Sequence, residues 1–542
     1  MNHLYFGDCL DVLKEIHKEH PQPFIDLIYI DPPFNSKRNY NVLFESIDSK
    51  DANAQKQAFA DTWSNYSYMD ELNQMADLHK DIYTVLKTFH DLKSISDSAV
   101  AYLTTMAIRI YYMHRLLKDT GSFYLHCDPT MSHYLKLICD MVLGEDNFQN
   151  EIIWKRALGK GDVRKKFGSN HDTILYYSKT KNYTFLNQFI EPDEEYISRF
   201  KLDDNDGKGL YRLAPMDSPN PRPNLTYEYK GYQPPKNGWR VSLELMKQLD
   251  ADGVLNFPKS KDGRISKKHY LSEQKGIKVD SVWTDIAPLQ SADKEKLGYP
   301  TQKPEILMER IISTSTNEGD VVADFFCGCG TTIAVAQRLN RKWLGADISH
   351  LAIRLIVKRL TETYGLGVKH NIKMHGLPKD VASAKMLAQE TEGGRIGFQD
   401  WAIEVMLNGV VNEKKVADGG YDGYLTFNMG KEKYFALIET KSGKLTVKNM
   451  REFVKVVENQ KAAVGIFVCF AENVTKEMTK EAKDAGHIKL GTVEFPMDKI
   501  QIITIEDLFA GKQPQLPGAA ENETFKKAKR NEGKASSKGL FD

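Results

Sequence analysis

A chain of 542 residues is too long for one ordinary domain and, at about 150 residues per domain, points to three or four folding units. Hydrophobic residues make up 41% and charged residues 27%, a globular mix that excludes a disordered, collagenous or small disulfide-stapled protein. Lys+Arg is 74 against Asp+Glu 73, a net charge of +1, so any nucleic-acid surface has to come from local clusters. No apolar run approaches the ~18 residues of a membrane span. The start, Met1-Asn2-His3-Leu4, lacks the basic and apolar regions of a secretion signal, and the six cysteines are scattered. A cytoplasmic, reducing location is therefore expected.

In chain order, a buried strand is predicted over Phe24–Ile30, ending on Asp31-Pro32-Pro33, where two prolines force the chain outward. A helix follows over Ala99–Lys118, then a strand over Ser122–His126 and a helix over Thr130–Val142. This alternation predicts an α/β fold with a mainly parallel sheet. From 150 to 298 the chain is turn-rich and basic, with Lys155, Arg156, Lys160, Arg164, Lys165 and Lys166, then Lys230 through Lys278 with Trp239, Phe257 and Tyr270. The pattern resumes with a helix at Pro304–Thr316, a strand at Val321–Phe325, a helix at Thr331–Leu339 and a strand at Trp343–Asp347. A linker is expected near Glu390–Arg395, then a smaller α/β unit with a strand at Tyr434–Ile438, a helix at Val447–Glu458 and a strand at Val464–Phe470. The predicted division is 1–149, 150–298, 299–390, 396–512 and a basic, disordered tail at 513–542.

Asp324-Phe325-Phe326-Cys327-Gly328-Cys329-Gly330-Thr331-Thr332 lies between a predicted strand and a predicted helix. Its glycines let the backbone turn sharply and approach a ligand closely. The next strand ends in Asp347, placed to accept hydrogen bonds from ribose hydroxyls. A tight turn alone explains many glycine pairs, but strand, turn, helix, strand and acid in that order point to a nucleoside-containing cofactor. The third glycine of a pyrophosphate site and the Lys-Ser/Thr of a P-loop are missing, which favours a cofactor without phosphates over NAD or ATP. Cys327-x-Cys329 lacks the second Cys/His pair of a metal site.

Asp31-Pro32-Pro33-Phe34-Asn35 leaves a buried strand, so its acid and its ring emerge at a carboxyl edge of the sheet. Taken with the glycine turn, the motif resembles the amino-type DNA methyltransferases that use S-adenosylmethionine. In that family Asp-Pro-Pro-Tyr/Phe is catalytic and Phe-x-Gly-x-Gly binds the cofactor. The order here, catalytic motif, long insert, Gln302-Lys303-Pro304, then Asp324–Thr332, is similar to the permuted β group. Tyr5-Phe6-Gly7-Asp8, Asn150-Glu151-Ile152-Ile153-Trp154, His171–Lys179, Arg222-Pro223-Asn224-Leu225 and Gly238-Trp239-Arg240 extend the likeness over about the first 370 residues. Phe325, Cys329 and Phe34 stand where proline, serine and tyrosine are commoner in the family.

The resemblance implies a Rossmann-like methyltransferase fold with the 150–298 insert as target-recognition region, acting on double-stranded DNA. The catalytic motif would be Asp31, Pro32, Pro33 and Phe34: Asp31 and the Pro32 carbonyl would accept both hydrogens of an exocyclic amine, and Phe34 would stack on a base rotated out of the duplex. Phe326, Gly328, Gly330 and Thr331 would hold the methionine portion of the cofactor, with Asp324 heading that motif. Asp347 would take the ribose, Asp8 the adenine amine, and Lys303 would help close the pocket. Asp at position 31 favours adenine N6, by family correlation, and leaves cytosine N4 open.

Farther on, Gly419-Gly420-Tyr421-Asp422 precedes a strand running into Glu439-Thr440-Lys441. That order resembles the PD-(D/E)xK nucleases, in particular the Mrr-like group. By that resemblance Asp422 and Glu439 would hold Mg²⁺, if this domain cleaves, and Lys441 would activate water or steady the phosphate charge. The expected whole is a DNA adenine methyltransferase with a fused endonuclease-like domain in restriction–modification or phage defence. Open alternatives are a cytosine-N4 methyltransferase, a restriction endonuclease whose methyltransferase half supplies recognition, and a DNA-binding module with neither activity. A homodimer and separate restriction or defence subunits are the partners it allows; no membrane is expected.

Overall fold

The computed structural model describes residues 2–33, 68–93, 95–157, 165, 167–290, 292–299, 301–389, 394–412, 420–430 and 432–518. Phe34 of the Asp-Pro-Pro-Phe motif, Lys160, Arg164 and Lys166 of the first basic cluster, and the tail beyond residue 518 lie outside the described residues. The chain divides into two compact units, Met1–Leu186 with Ser281–Asp542, and Asn187–Asp280.

The larger unit is built on a nine-stranded sheet. Its strands are β1 (Asn2–Phe6), β2 (Ile25–Ile30), β3 (Leu117–Cys127), β4 (Phe148–Lys155), β5 (His171–Ser178), β6 (Val282–Trp283), β7 (Val321–Asp324), β8 (Lys342–Asp347) and β9 (Ile372–His375). They lie in the order β6-β4-β5-β3-β2-β7-β8-β1-β9. All neighbours pair in parallel except β5, which is antiparallel to both β3 and β4. β2, Ile-Asp-Leu-Ile-Tyr-Ile, is buried at every position, as a parallel strand covered on both faces must be. Its one acid, Asp26, is satisfied by Lys118 Nζ and by the Val321 amide of β7, each at 2.9 Å.

Helix α1 (Cys9–Glu19) is N-capped by Asp8, whose Oδ1 accepts from the Leu10 amide, and buries Cys9, Leu10, Val12, Leu13 and Ile16. Helix α2 (Asp97–Leu116), capped by Ser96, has 14 of its 20 residues buried, so it is internal rather than a surface helix. Helices α3 (Thr331–Arg338) and α4 (His350–Tyr364) follow β7 and β8, completing a Rossmann-like alternation.

A second sheet, of five strands, holds the C-terminal domain: β10 (Val410–Val411), β11 (Gly423–Met429), β12 (Glu432–Lys441), β13 (Val464–Cys469) and β14 (Ile500–Thr504), in that order. β10, β11 and β12 are antiparallel; β12, β13 and β14 are parallel. Helix α5 (Val447–Asn459), opened by a Thr446/Asn449 capping box, packs Met450, Phe453 and Val457 beside Phe467. Ala384, in the helix Val381–Gln389, is fully buried with Phe398, Trp401 and Ile466. That helix therefore packs in the C-terminal core, although its position in the chain groups it with the preceding 299–390 segment. Residues 513–518 are also anchored, since Gln515 and Gln501 exchange two hydrogen bonds of 2.8 Å.

The smaller unit, Asn187–Asp280, has a three-stranded antiparallel sheet of Tyr211–Pro215, Ser266–Tyr270 and Leu255–Asn256. Its core is Met216, Tyr229, Tyr232, Trp239, Met246, Leu255 and Ile265. Lys261 lies 4.0 Å from the Tyr232 ring centroid and Lys230 5.3 Å from that of Phe257. This unit is narrower than the 150–298 insert read from composition, because residues 148–178 supply β4 and β5 to the main sheet. Among the described residues, no helix is long and apolar enough to cross a membrane.

Candidate active sites

Parallel pairing brings the separated motifs to one edge. Ile28 pairs with Ala323, Asp324 with Gly345, and Asp347 with Phe6. The carboxyl ends of β2, β7, β8 and β1 are thus neighbours, and from them emerge Asp31-Pro32-Pro33, the Asp324–Thr331 turn, Asp347 and Gly7-Asp8.

The glycine turn is braced from below. Buried Asp324 accepts from the Phe326 amide at 3.0 Å and from Thr332 Oγ1 at 2.6 Å. Burial, aided by the charges of Asp31 and Asp347, pushes its carboxyl up to about 7. Asp347 spans turn and helix: Oδ2 accepts from the Gly328 amide at 2.8 Å and Oδ1 from the Ser349 amide at 2.9 Å. Burial pushes it up to about 6, against the pull of those donors. Gly328 and Gly330 have φ of +49° and +73°. A Cβ on Gly330 would meet Ile356 Cγ1 of α4 at 2.5 Å, so no other residue fits there without displacement. Thr331 is buried at the start of α3, and Phe326 is half-buried against the main core. Phe6 and His350 stack face to face at 3.7 Å beside them.

Asp8 is held by Arg109 of α2, whose Nη2 reaches both carboxylate oxygens at 2.9 and 3.0 Å. The same buried guanidinium bonds Glu71 Oε1 at 2.9 Å. A lone arginine inside the apolar run Met106-Ala107-Ile108-Arg109-Ile110 was the legible sign of this clamp, and motif reading passed over it.

Asp31 is bonded through Oδ2 by Lys303 Nζ, a lysine only 8% exposed. Behind this turn runs a buried polar chain. Tyr29 Oη meets His126 Nδ1 at 2.9 Å, His126 Nε2 meets Asp172 Oδ2 at 3.1 Å, and Arg156 Nε meets Asp172 Oδ1 at 2.6 Å. Burial alone would raise the Asp172 carboxyl, but the His126 hydrogen bond and the charges of His126, Lys303 and Arg156 hold it below the usual range. None of Tyr29, His126 or Asp172 stands out in sequence, because each lies on a different strand.

In the C-terminal domain Gly423 pairs with Ile438, which sets Asp422 beside Glu439 across adjacent strands. Asp422 Oδ2 accepts from the Thr440 amide at 2.7 Å and from Thr440 Oγ1 at 3.0 Å. Glu439 Oε1 pairs with Lys441 Nζ at 2.8 Å. Among the described residues no group of three or more His, Cys, Asp or Glu side chains gathers as a metal site, so a cation here would rest on these two carboxylates.

Similar proteins bear on both halves. A type II methyltransferase, M.EcaI of Enterobacter cloacae, is 34% identical over 261 residues, which cover 48% of this chain and 57% of that one. The Mod subunit of the type III restriction-modification enzyme StyLTI of Salmonella typhimurium is 27% identical over 352 residues, covering 62% and 50%. The DNA adenine methyltransferase YhdJ of Escherichia coli is 26% identical over 355 residues, covering 65% and 81%. The chain thus spans little more than half the length of the first two relatives. Residues 397–494 match the Mrr-type catalytic domain described as restriction endonuclease, and residues 25–358 match the N6/N4 family described as DNA methylase, so the chain belongs to the N6/N4 DNA methylase family and carries a restriction-endonuclease domain behind it.

Proposed function

We propose that this protein transfers a methyl group from S-adenosylmethionine to adenine N6 at a specific site in double-stranded DNA, and that its C-terminal domain is a Mg²⁺-dependent endonuclease, in restriction–modification or phage defence. The observation that carries the reading is the parallel β2–β7 pairing, which sets Asp31-Pro32-Pro33 beside the glycine turn.

The residues at the edge fit the cofactor. Gly330 leaves no space for a side chain, Asp347 ties turn to helix, and Asp8 is fixed by Arg109. S-adenosylmethionine supplies, when bound, an electrophilic methyl group. Phe326, Gly328, Gly330 and Thr331 would hold its methionine end, Asp347 its ribose and Asp8 its base. An adenine amine is a poor nucleophile because its lone pair is delocalised into the ring. Asp31 and the Pro32 carbonyl accept its two hydrogens and draw the nitrogen toward a tetrahedral form; proline has no N–H to compete. Phe34 would stack on the flipped base. The Asn187–Asp280 unit, with its basic and aromatic side chains, would read the target site.

At the second site Mg²⁺ would take Asp422 and Glu439, a donor set that suits it because this cation keeps several waters and needs only one or two carboxylates. Asp422 Oδ2 is anchored by Thr440, which leaves Oδ1 to face a cation. Lys441 would steady the phosphate charge.

Modification-detecting sequencing of DNA from a methylation-deficient bacterial host tests the first half. Expression of the parent chain is expected to place N6-methyladenine at one motif, and Asp31→Ala none. N4-methylcytosine at that motif would overturn the choice of base, and an unmodified genome with folded protein would overturn methyl transfer. Size measurement with and without a duplex carrying the motif decides between monomer, homodimer and dependence on a separate restriction subunit.

A further inference from the structure

Lys303 and Asp31 are 272 residues apart in sequence and bonded in the structure. The ammonium is buried, at 8% exposure, and Asp31 is 16% exposed at its side chain. Lys303 also takes the Thr301 carbonyl at 3.4 Å, and Thr301 has φ of +61°, a conformation an L-residue seldom adopts. The loop that carries the lysine is fixed from its other side. Gln302 accepts from the Leu297 amide at 2.9 Å and donates to the Glu295 carbonyl at 2.7 Å, while Glu295 accepts from the Glu305 amide at 3.1 Å. The charge of Lys303 also acts on Asp172 of β5 and on Cys329 of the glycine turn.

A long, flexible lysine is held this way only if its loop is built to deliver it. The carboxylate it meets has two oxygens, and one is taken. Among the described residues Asp31 Oδ1 meets no hydrogen-bond donor. An exocyclic amine offers two hydrogens and needs two acceptors of fixed direction.

Resting on the proposed methyl transfer, we infer that Lys303 is the positioning residue of the catalytic acid: it holds Asp31 through Oδ2, so that Oδ1 and the Pro32 carbonyl form the acceptor pair for the target amine. Its place is with the catalytic turn and not with cofactor affinity. The Gln302-Lys303-Pro304 motif thereby sets the aim of a residue 272 positions away. A rotated carboxylate would still bind DNA and cofactor but would misplace the amine, and misplacement near 1 Å costs about 100-fold in rate.

The test uses the full-length chain and Lys303→Met, which keeps much of the aliphatic stem and removes the donor. Expected are a loss of about 100-fold in kcat, with KM for a duplex carrying the site and the calorimetric Kd for S-adenosylmethionine both within about twofold of the parent. A weaker Kd at unchanged kcat would put Lys303 in the cofactor pocket and overturn the assignment, as would an unchanged kcat with unchanged Kd. A thermal-unfolding cycle of Lys303→Met, Asp31→Asn and the double variant reads the pair independently of activity. Non-additive loss, with the double variant more stable than the two single losses predict, is the expected result, and strict additivity would refute the pairing. Should the parent methylate no DNA while the cycle is non-additive, the pair stands and the methyl-transfer reading is what fails.

Discussion

Gly330→Ala separates two demands that the glycine turn makes at once. At φ +73° an L side chain costs about 1–2 kcal/mol. The added Cβ would also meet Ile356 Cγ1 at 2.5 Å and Cδ1 at 3.3 Å. Ile356 is itself buried in α4 and cannot swing away, so overpacking adds about 1–3 kcal/mol, for a total near 2–5 kcal/mol. Gly319 is the control: its φ is +83°, and nothing lies within 4 Å of its Cβ position. Gly319→Ala therefore carries only the backbone cost, about 1–2 kcal/mol. Because the chain holds separate sheets, the comparison belongs to native-state hydrogen exchange of the α4 and β7 amides, which reports this sheet apart from the C-terminal one. Equal losses for the two variants, within about 0.5 kcal/mol, would show that α4 yields to the new methyl and would refute the close-packing argument.

Asp324 gives a pH signature. Its carboxyl is raised to about 7 by burial and by its acidic neighbours, so the folded state holds the proton that the unfolded chain releases near 4. The stability this contributes is complete below about pH 4 and is lost as pH rises through about 7. The melting temperature of the parent should fall from pH 5 to 8, and Asp324→Asn should flatten that slope; an unchanged slope would refute the assignment. Arg109→Met strips Asp8 and Glu71 of a buried cation and should cost about 3–5 kcal/mol in the same exchange measurement. A loss under about 1 kcal/mol would mean that water reaches the carboxylates. In the C-terminal domain Lys441→Ala should abolish Mg²⁺-dependent cutting of unmodified duplex and leave methylation intact, whereas Asp31→Ala should do the reverse; loss of both activities in either variant would contradict separate sites.

Most of the strand and helix order was legible because the main sheet is parallel and buried on both faces. Such strands appear as short apolar runs, and Phe24–Ile30, Trp343–Asp347 and Val464–Phe470 fall within a residue or so of their observed limits. The insert was harder to bound. Lys155, Arg156 and Asn150 lend 150–178 a polar look, yet Ile152, Trp154, Ile174 and Tyr176 are buried in β4 and β5. The polar first half of β4 hid a sheet that continues past β3. The helix before the expected linker was hard to assign for a related reason: Val381, Ala384, Leu387 and Ala388 are apolar, but a single sequence does not show which core they join. Motif residues were legible where chemistry dictates residue type, as at Asp31, Gly328, Gly330 and Asp347. Arg109, Tyr29, His126 and Asp172 were not, because their partners are set by strand order, which a single sequence does not print.

That strand order also explains why distant polar stretches matter together. The proposed transfer needs Asp31 as an acceptor at the edge of an apolar sheet, where an unpaired charge costs several kcal/mol. Lys303 offsets Asp31, but a lysine buried beside a single acid would itself remain poorly compensated. Asp172 lies within its field, and Asp172 is in turn held by Arg156 and His126. Read from the edge inward, the charges alternate: Asp31, Lys303, Asp172, Arg156. They arise from the turn after β2, the loop before the Glu305 helix, β5, and the residue after β4. His126 then ties the chain to Tyr29, two residues before Asp31, so the network closes on the strand where it began. A buried polar group in low dielectric is costly when half-satisfied and stiffening when complete. β5 pairs with β3 and so brings Asp172 to His126. The stretches around Trp154, His171 and Gln302 are therefore linked to the Asp31 turn as parts of one electrostatic object.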